Sequence, residues 1–121
     1  HYMVIMDDCS FGGGLKKKIN GIISKYFSNS RHINCSIIIT LQKYSDCLTS
    51  ARENASSCFF FQCSNKQMSL ISEDVNYTDN TKSFNNMFRE AVKEPHSFLF
   101  VNFFKPVDEM YMNSDFEVIK I

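Results

Sequence analysis

The stretch Tyr2-Met3-Val4-Ile5-Met6-Asp7-Asp8 decides how the chain is read: an apolar run that ends in two adjacent carboxylates. A strand covered by helices on both faces is apolar along its length, and its first polar groups come where the chain leaves the sheet. Neighbouring acids repel each other, so keeping both ionised calls for a cation beside them. The pairing points to a site in which one carboxylate holds a metal ion through water while the other stays free to take a proton. A magnesium nucleotide is the candidate partner.

Downstream, Leu15, Ile19, Ile22, Ile23, Tyr26 and Phe27 recur at i, i+4, i+7, i+8, i+11 and i+12, which predicts one amphipathic helix over residues 14–28. Lys16, Lys17, Lys18 and Lys25 lie around its other faces, as a solvated surface or a DNA-facing stripe would have them. The β-branched run INCSIIIT, residues 33–40, predicts a second buried strand. A short helical segment over 48–55, a third apolar run over 58–63 and a polar helical stretch over 66–74 follow. Residues 79–94 predict an amphipathic helix with Phe84, Met87, Phe88, Ala91 and Val92 on one face, stopped by Pro95. A fourth run covers 98–104, and the tail from Tyr111 predicts an edge strand.

Strands alternating with helices predict βαβ units and a mostly parallel α/β sheet, since parallel neighbours need a crossover. In such a sheet the polar residues that close the runs share one edge, where ligands bind. They are Asp7 and Asp8, Thr40 and Gln42, Gln62 and Ser64, and Asn102. Polar residues at strand ends also cap helices and satisfy loop backbone, so both readings stand at this point.

At 121 residues, 44% hydrophobic and 21% charged, the chain suits one soluble domain or part of one. Its formal net charge is zero, so nucleic-acid contact would rest on local basic patches rather than a general field. Five cysteines, an odd number with no C-x-x-C pair, suggest reduced thiols rather than zinc ligands or disulfides. Of the three Asn-x-Ser/Thr tripeptides, at Asn34, Asn54 and Asn76, two flank or enter predicted core elements, and chance is the better account of them. No apolar stretch approaches the roughly 18 residues that span a bilayer, and no basic-then-apolar leader opens the chain. An intracellular protein is expected. The chain begins at His1 within a strand and without an initiator methionine, which suggests a portion of a larger domain.

Ser10-Phe11-Gly12-Gly13-Gly14-Leu15-Lys16 follows a strand and opens a helix, but it lacks the G-x-x-x-x-G-K-[ST] spacing of a phosphate cradle. The glycines suit a tight turn after the acids instead. The chain thus has the second half of a nucleotide site without the first. Arg31 and His32 close the predicted first helix, where a cation complements the helix C-terminus; an arginine there also suits a finger that reaches a neighbouring subunit's triphosphate. Arg52 competes for that role. No Ser-His-Asp or Cys-His set is legible.

With these pieces in order, the chain resembles the distal half of a viral genome-packaging ATPase of the FtsK–HerA branch of P-loop motors. VIMDD resembles the Walker B strand, and RHINCSIIITLQKY resembles the segment leading through an Arg-His pair into a strand that ends in a threonine–glutamine sensor. ARENASSCFFFQCS and HSFLFVNFFKP resemble the strands that follow. The resemblance implies a three-layer RecA-like core with a mostly parallel sheet, of which residues 1–121 would be the C-terminal portion from Walker B onward. It implies ATP and Mg²⁺ as cofactors, Asp7 as the metal partner, Asp8 polarising the attacking water, Gln42 contacting the γ-phosphate and Arg31 acting in trans. It also implies a homo-oligomeric ring that drives double-stranded DNA into a capsid through a portal or vertex protein, in the host cytoplasm (viral factory) or the virion, with no membrane partner. Asp8 departs from the Glu of many relatives, shortening its reach by one methylene. A cellular or plasmid DNA translocase, and a non-catalytic α/β remnant, are the alternatives.

Overall fold

The structure, a computed structural model, describes residues 1–8, 21–27, 29, 32 and 34–120. It is an α/β chain that divides into two compact units, His1–Ala55 and Ser56–Ile121. In the first, strand β1 (Tyr2–Met6), helical residues 21–27 (α1) and strand β2 (Cys35–Ile39) are followed by a 3-10 turn (Tyr44–Asp46) and helix α2 (Thr49–Asn54). β1 and β2 pair in parallel, in a register that sets Tyr2 against Cys35 and Met6 against Ile39. This is the βαβ connection that the alternation predicts. In α1, Ile23 is buried as expected, whereas Ile22 is half exposed.

β1 is less buried than a strand between two helical layers: Tyr2, Met3 and Ile5 are 74%, 61% and 63% exposed. A two-stranded sheet offers each strand only one neighbour, and among the described residues no further strand pairs with β1 or β2. The remaining members of the predicted first helix, residues 14–20 and 28, lie outside the described residues, as do the Gly12–Gly14 turn and the lysines at 16–18.

The second unit runs β3 (Ser57–Phe60), α3 (Asn65–Val75), α4 (Thr81–Ala91), β4 (Leu99–Asn102) and β5 (Tyr111–Met112). Ser64 caps α3, accepting from the Gln67 N–H at 3.3 Å, and Asn80 caps α4, accepting from the Ser83 N–H at 2.8 Å. Met68, Ile71 and Val75 form one buried stripe and Phe84, Met87 and Phe88 the other. These stripes are buried with Phe60, Leu99, Val101 and Tyr111 of the sheet; the ring of Phe60 lies 6.3 Å from that of Phe88, and Phe84 meets Tyr111 edge-on at 5.9 Å. Each fully buried side chain of this size stabilises the fold by roughly 1.5–3 kcal/mol.

Here the topology departs from the expected parallel sheet. β3 and β4 are antiparallel, with Phe60 opposite Leu99 and Ser57 opposite Asn102, and β5 adds antiparallel to β4. One helix returns a chain to the end of the sheet it came from, whereas two in succession leave it at the far end. With α3 and α4 both between them, β4 starts where β3 finishes. The tail contributes β5 and a bridge from Met112 to Val118, the edge strand expected there.

The face of this sheet away from Phe60, Leu99, Val101 and Tyr111 is also aromatic. Phe59 lies across the strands from Phe100 at 4.7 Å and edge-on to Phe98 at 5.2 Å, and Phe116 packs on Phe98 and Phe100 at 5.8 and 5.6 Å. Phe116 is held there at a φ of 58°, a left-handed conformation unusual for a bulky residue.

Candidate functional site

β1 ends at Met6, so Asp7 and Asp8 are the first residues past its carboxyl end. The parallel register continues by one hydrogen bond, from the Thr40 N–H to the Met6 carbonyl at 3.0 Å, which brings the residue after β2 alongside the acids. The Thr40 hydroxyl then bridges the two aspartates. Oγ1 donates to Asp7 Oδ1 at 2.5 Å and accepts from the Asp8 N–H at 2.8 Å. A hydroxyl has one proton to give and two lone pairs, so both bonds form at once. Asp8 takes a φ of 51°, a left-handed conformation that Asp adopts more readily than most residues, and the strand direction ends there.

Asp7, Asp8 and Thr40 are all exposed, so a ligand can reach them from solvent. The donor set is hard oxygen, which fits Mg²⁺ rather than a thiophilic metal. Among the described residues no group of three or more His, Cys, Asp or Glu side chains gathers to hold a metal. Two carboxylates completed by water and phosphate oxygens are nonetheless a common way to bind Mg²⁺, so the residues present fit the ion when it arrives with a nucleotide.

The other predicted residues divide. Gln42 is exposed, two residues past Thr40 in the bend that leaves β2, and so lies in the loop that follows the bridge. Arg31 lies outside the described residues. Its competitor Arg52 has a local role: its guanidinium sits 4.5 Å from the centre of the Tyr44 ring, and Nη2 donates to the Tyr44 carbonyl at 3.2 Å. Cation–π attraction and this hydrogen bond tie α2 to the 3-10 turn.

The polar closures of the third and fourth runs do not share an edge as expected. In the antiparallel pair, Asn102 stands opposite Ser57, at the start of β3, while Gln62 lies beyond the end of β3. Ser64 is a helix cap, and Asn102 Oδ1 accepts from the Phe104 N–H at 3.1 Å. Capping and loop satisfaction, the plainer of the two readings, describe both. None of Cys35, Cys47, Cys58 and Cys63 is joined in a disulfide; partial burial pushes the Cys63 thiol above its ordinary pKa, which makes it a poorer nucleophile.

Two open clefts of about 240 and 650 Å³ lie in the second unit, flanking Tyr77 and Val107, and none of Asp7, Asp8 or Gln42 borders either. No helix among the described residues is long and apolar enough to cross a membrane. Thr40 was legible as the polar close of the second run, but its part in bridging the acids depends on the β1–β2 register, which no local signal encodes. No family model matches this chain, nor does any curated protein or solved structure.

Proposed function

We propose that this chain is the Walker B-to-C-terminal portion of a P-loop ATPase motor of the FtsK–HerA packaging branch, built on a RecA-like core and driving double-stranded DNA into a capsid. The observation that carries the reading is the position of Asp7 and Asp8 at the carboxyl end of β1, beside the carboxyl end of its parallel neighbour β2. That edge is where open α/β sheets bind ligands. The VIMDD and IIITLQ motifs supply the residue types such a site needs.

In this reading Asp7 holds the cation and Asp8 accepts hydrogen-bond donation from the attacking water, orienting it toward the γ-phosphate. Gln42, in the loop after Thr40, contacts the γ-phosphate. Arg31 reaches the site of the next subunit in a ring and stabilises charge there, a role that is worth about 10³–10⁵ in rate where fingers have been removed. When bound, Mg²⁺ neutralises developing charge on the phosphates. DNA is gripped through its phosphates, so binding weakens steeply with salt.

The test is Mg²⁺-dependent ATP hydrolysis by the intact polypeptide in the presence and absence of duplex DNA. Hydrolysis stimulated by duplex of any sequence supports a translocase, whereas nucleotide-independent behaviour with no hydrolysis contradicts it. The sequence upstream provides a cheaper check, namely a GxxxxGK[ST] after a strand within roughly 60–120 residues, the span that completes a domain of ordinary size.

A non-catalytic α/β module is the second reading. It is favoured by the antiparallel β3–β4–β5 sheet, which is not what a mostly parallel core would contribute, and by the exposure of β1.

A further inference from the structure

We propose that the outer edge of β3 is a pairing surface for a second copy of this chain, the two β3 strands running antiparallel about a two-fold axis at Phe59. β3 has β4 as its neighbour on one side, and among the described residues no strand meets its other side. The bond from the Phe103 N–H to the Ser56 carbonyl at 3.0 Å fixes the phase of the β3–β4 ladder. Hydrogen-bonded and non-hydrogen-bonded pairs alternate in an antiparallel ladder, so the backbone groups of Cys58 and Phe60 face β4 while those of Ser57 and Phe59 turn outward.

An edge with its N–H and C=O groups turned outward is a template for another strand unless charge or proline blocks it. Residues 56–64, SSCFFFQCS, carry no proline and no charge of either sign. The side chains beside the edge are apolar as well: Phe59 and Phe61 are 50% and 55% exposed, and both rings meet Phe98.

The occupant is a second copy because the edge is complementary to itself. With the axis at Phe59, the Phe59 N–H of each copy donates to the Phe59 carbonyl of the other, and Ser57 stands opposite Phe61. Outward groups therefore meet outward groups in the bonded phase. Two uncharged strands bring no like charges together, and the two Phe59 rings become a cross-strand pair. Such a contact is isologous and closes at two copies, because the pairing uses up the edge. A ring is built from head-to-tail contacts instead, so this dimer does not rest on the motor reading. What Phe59 and Phe61 leave exposed comes to roughly 200 Å² per copy, at about 200 Å² for a whole Phe side chain, against about 800 Å² per partner in a standard interface. The dimer is accordingly weak, with a Kd of about 0.1–1 mM.

Sedimentation equilibrium of the full chain up to about 1 mM reads the stoichiometry, and hydrogen exchange at the Phe59 amide reads the surface. The expected result is a monomer–dimer equilibrium in which that amide exchanges about two- to fivefold more slowly at the highest concentration, the fall in monomer fraction that this Kd gives. Phe59→Lys and Phe59→Glu should each stay monomeric, since the axis sets like charges face to face, and mixing the two should restore the dimer. That rescue requires residue 59 to stand opposite itself. Ser57→Pro removes an outward N–H and no bond to β4, so it should also stay monomeric, and it carries the test if the Phe59 variants lose their circular dichroism. A monomer throughout the range overturns the proposal, as does assembly that grows past two copies. A dimer whose Phe59 amide exchanges as fast as in the monomer, or folded Phe59 variants that fail to pair when mixed, overturns the assignment to the β3 edge.

Discussion

The phenol of Tyr111 donates to the carbonyl of Val75 at 2.5 Å, tying β5 to the last turn of α3. The same oxygen accepts from the Tyr77 N–H at 3.0 Å, so a single buried hydroxyl closes the helix end and starts the loop that leads to α4.

Replacing Tyr111 by Phe leaves the ring in place and strands both backbone groups. The variant should be less stable by about 1–3 kcal/mol, measured by urea denaturation. Burial pushes the Tyr111 pKa above the ordinary tyrosine value of about 10, against the lowering effect of the Tyr77 N–H. The unfolded chain therefore loses this proton first. Stability should be unaffected by Tyr111 below pH 10 and should fall as pH rises from there toward its raised folded value, a loss that Tyr111→Phe does not share.

Phe84 is fully buried, in contact with both Phe88 and Tyr111. Phe84→Ala should cost about 3–5 kcal/mol through lost transfer energy and the cavity it leaves. Phe104, 75% exposed, provides the contrast: its replacement by Ala should change stability by no more than about 0.5 kcal/mol in the same measurement.

Asn80 accepts from the Ser83 N–H and satisfies one of the open donors of α4. Asn80→Ala should destabilise by about 1 kcal/mol, while Asn80→Asp, which keeps the acceptor, should not. Calorimetric melting of the two variants side by side checks this.

His96 sits at a φ of 64° between α4 and β4. A left-handed conformation costs a residue with a Cβ about 1–2 kcal/mol, part of which Gly returns as flexibility of the unfolded chain. His96→Gly should therefore raise stability by about 0.5–1 kcal/mol, read as a higher denaturation midpoint.

Most element positions follow from local pattern. INCSIIIT forms β2 because β-branched residues suit a pleated surface, and Phe84, Met87 and Phe88 place α4 because i, i+3, i+4 spacing makes one helical face. Strand direction is not local. The apolar runs containing β3 and β4 look alike whichever way they pair, and what decides is that two helices, not one, lie between them. The polar residues Gln62 and Asn102 thus fell at opposite ends of a pair rather than on one edge. The acids of β1 and the threonine of β2 were legible as strand-end polar groups, whereas the hydrogen bonds that join them follow from a register set by whole strands. Arg52 was a plausible finger by residue type alone; the Tyr44 ring beneath it shows its structural use.

If Arg31 acts across a subunit boundary, an Arg31→Ala protein and an Asp8→Ala protein, each inactive alone, should recover part of their ATPase rate when mixed. Mixed rings contain interfaces with an intact arginine facing an intact acidic pair. A mixture no more active than its components argues against a trans role.

The central claim is that Asp7 and Asp8 form the cation-and-water half of a triphosphate site. It is tested most directly by the steady-state rate of Mg²⁺-dependent ATP hydrolysis by the intact polypeptide carrying Asp7→Ala or Asp8→Ala. The account predicts a fall of about 100-fold or more in each, with the fold unchanged by circular dichroism. Wild-type turnover in the doubly substituted protein would contradict it.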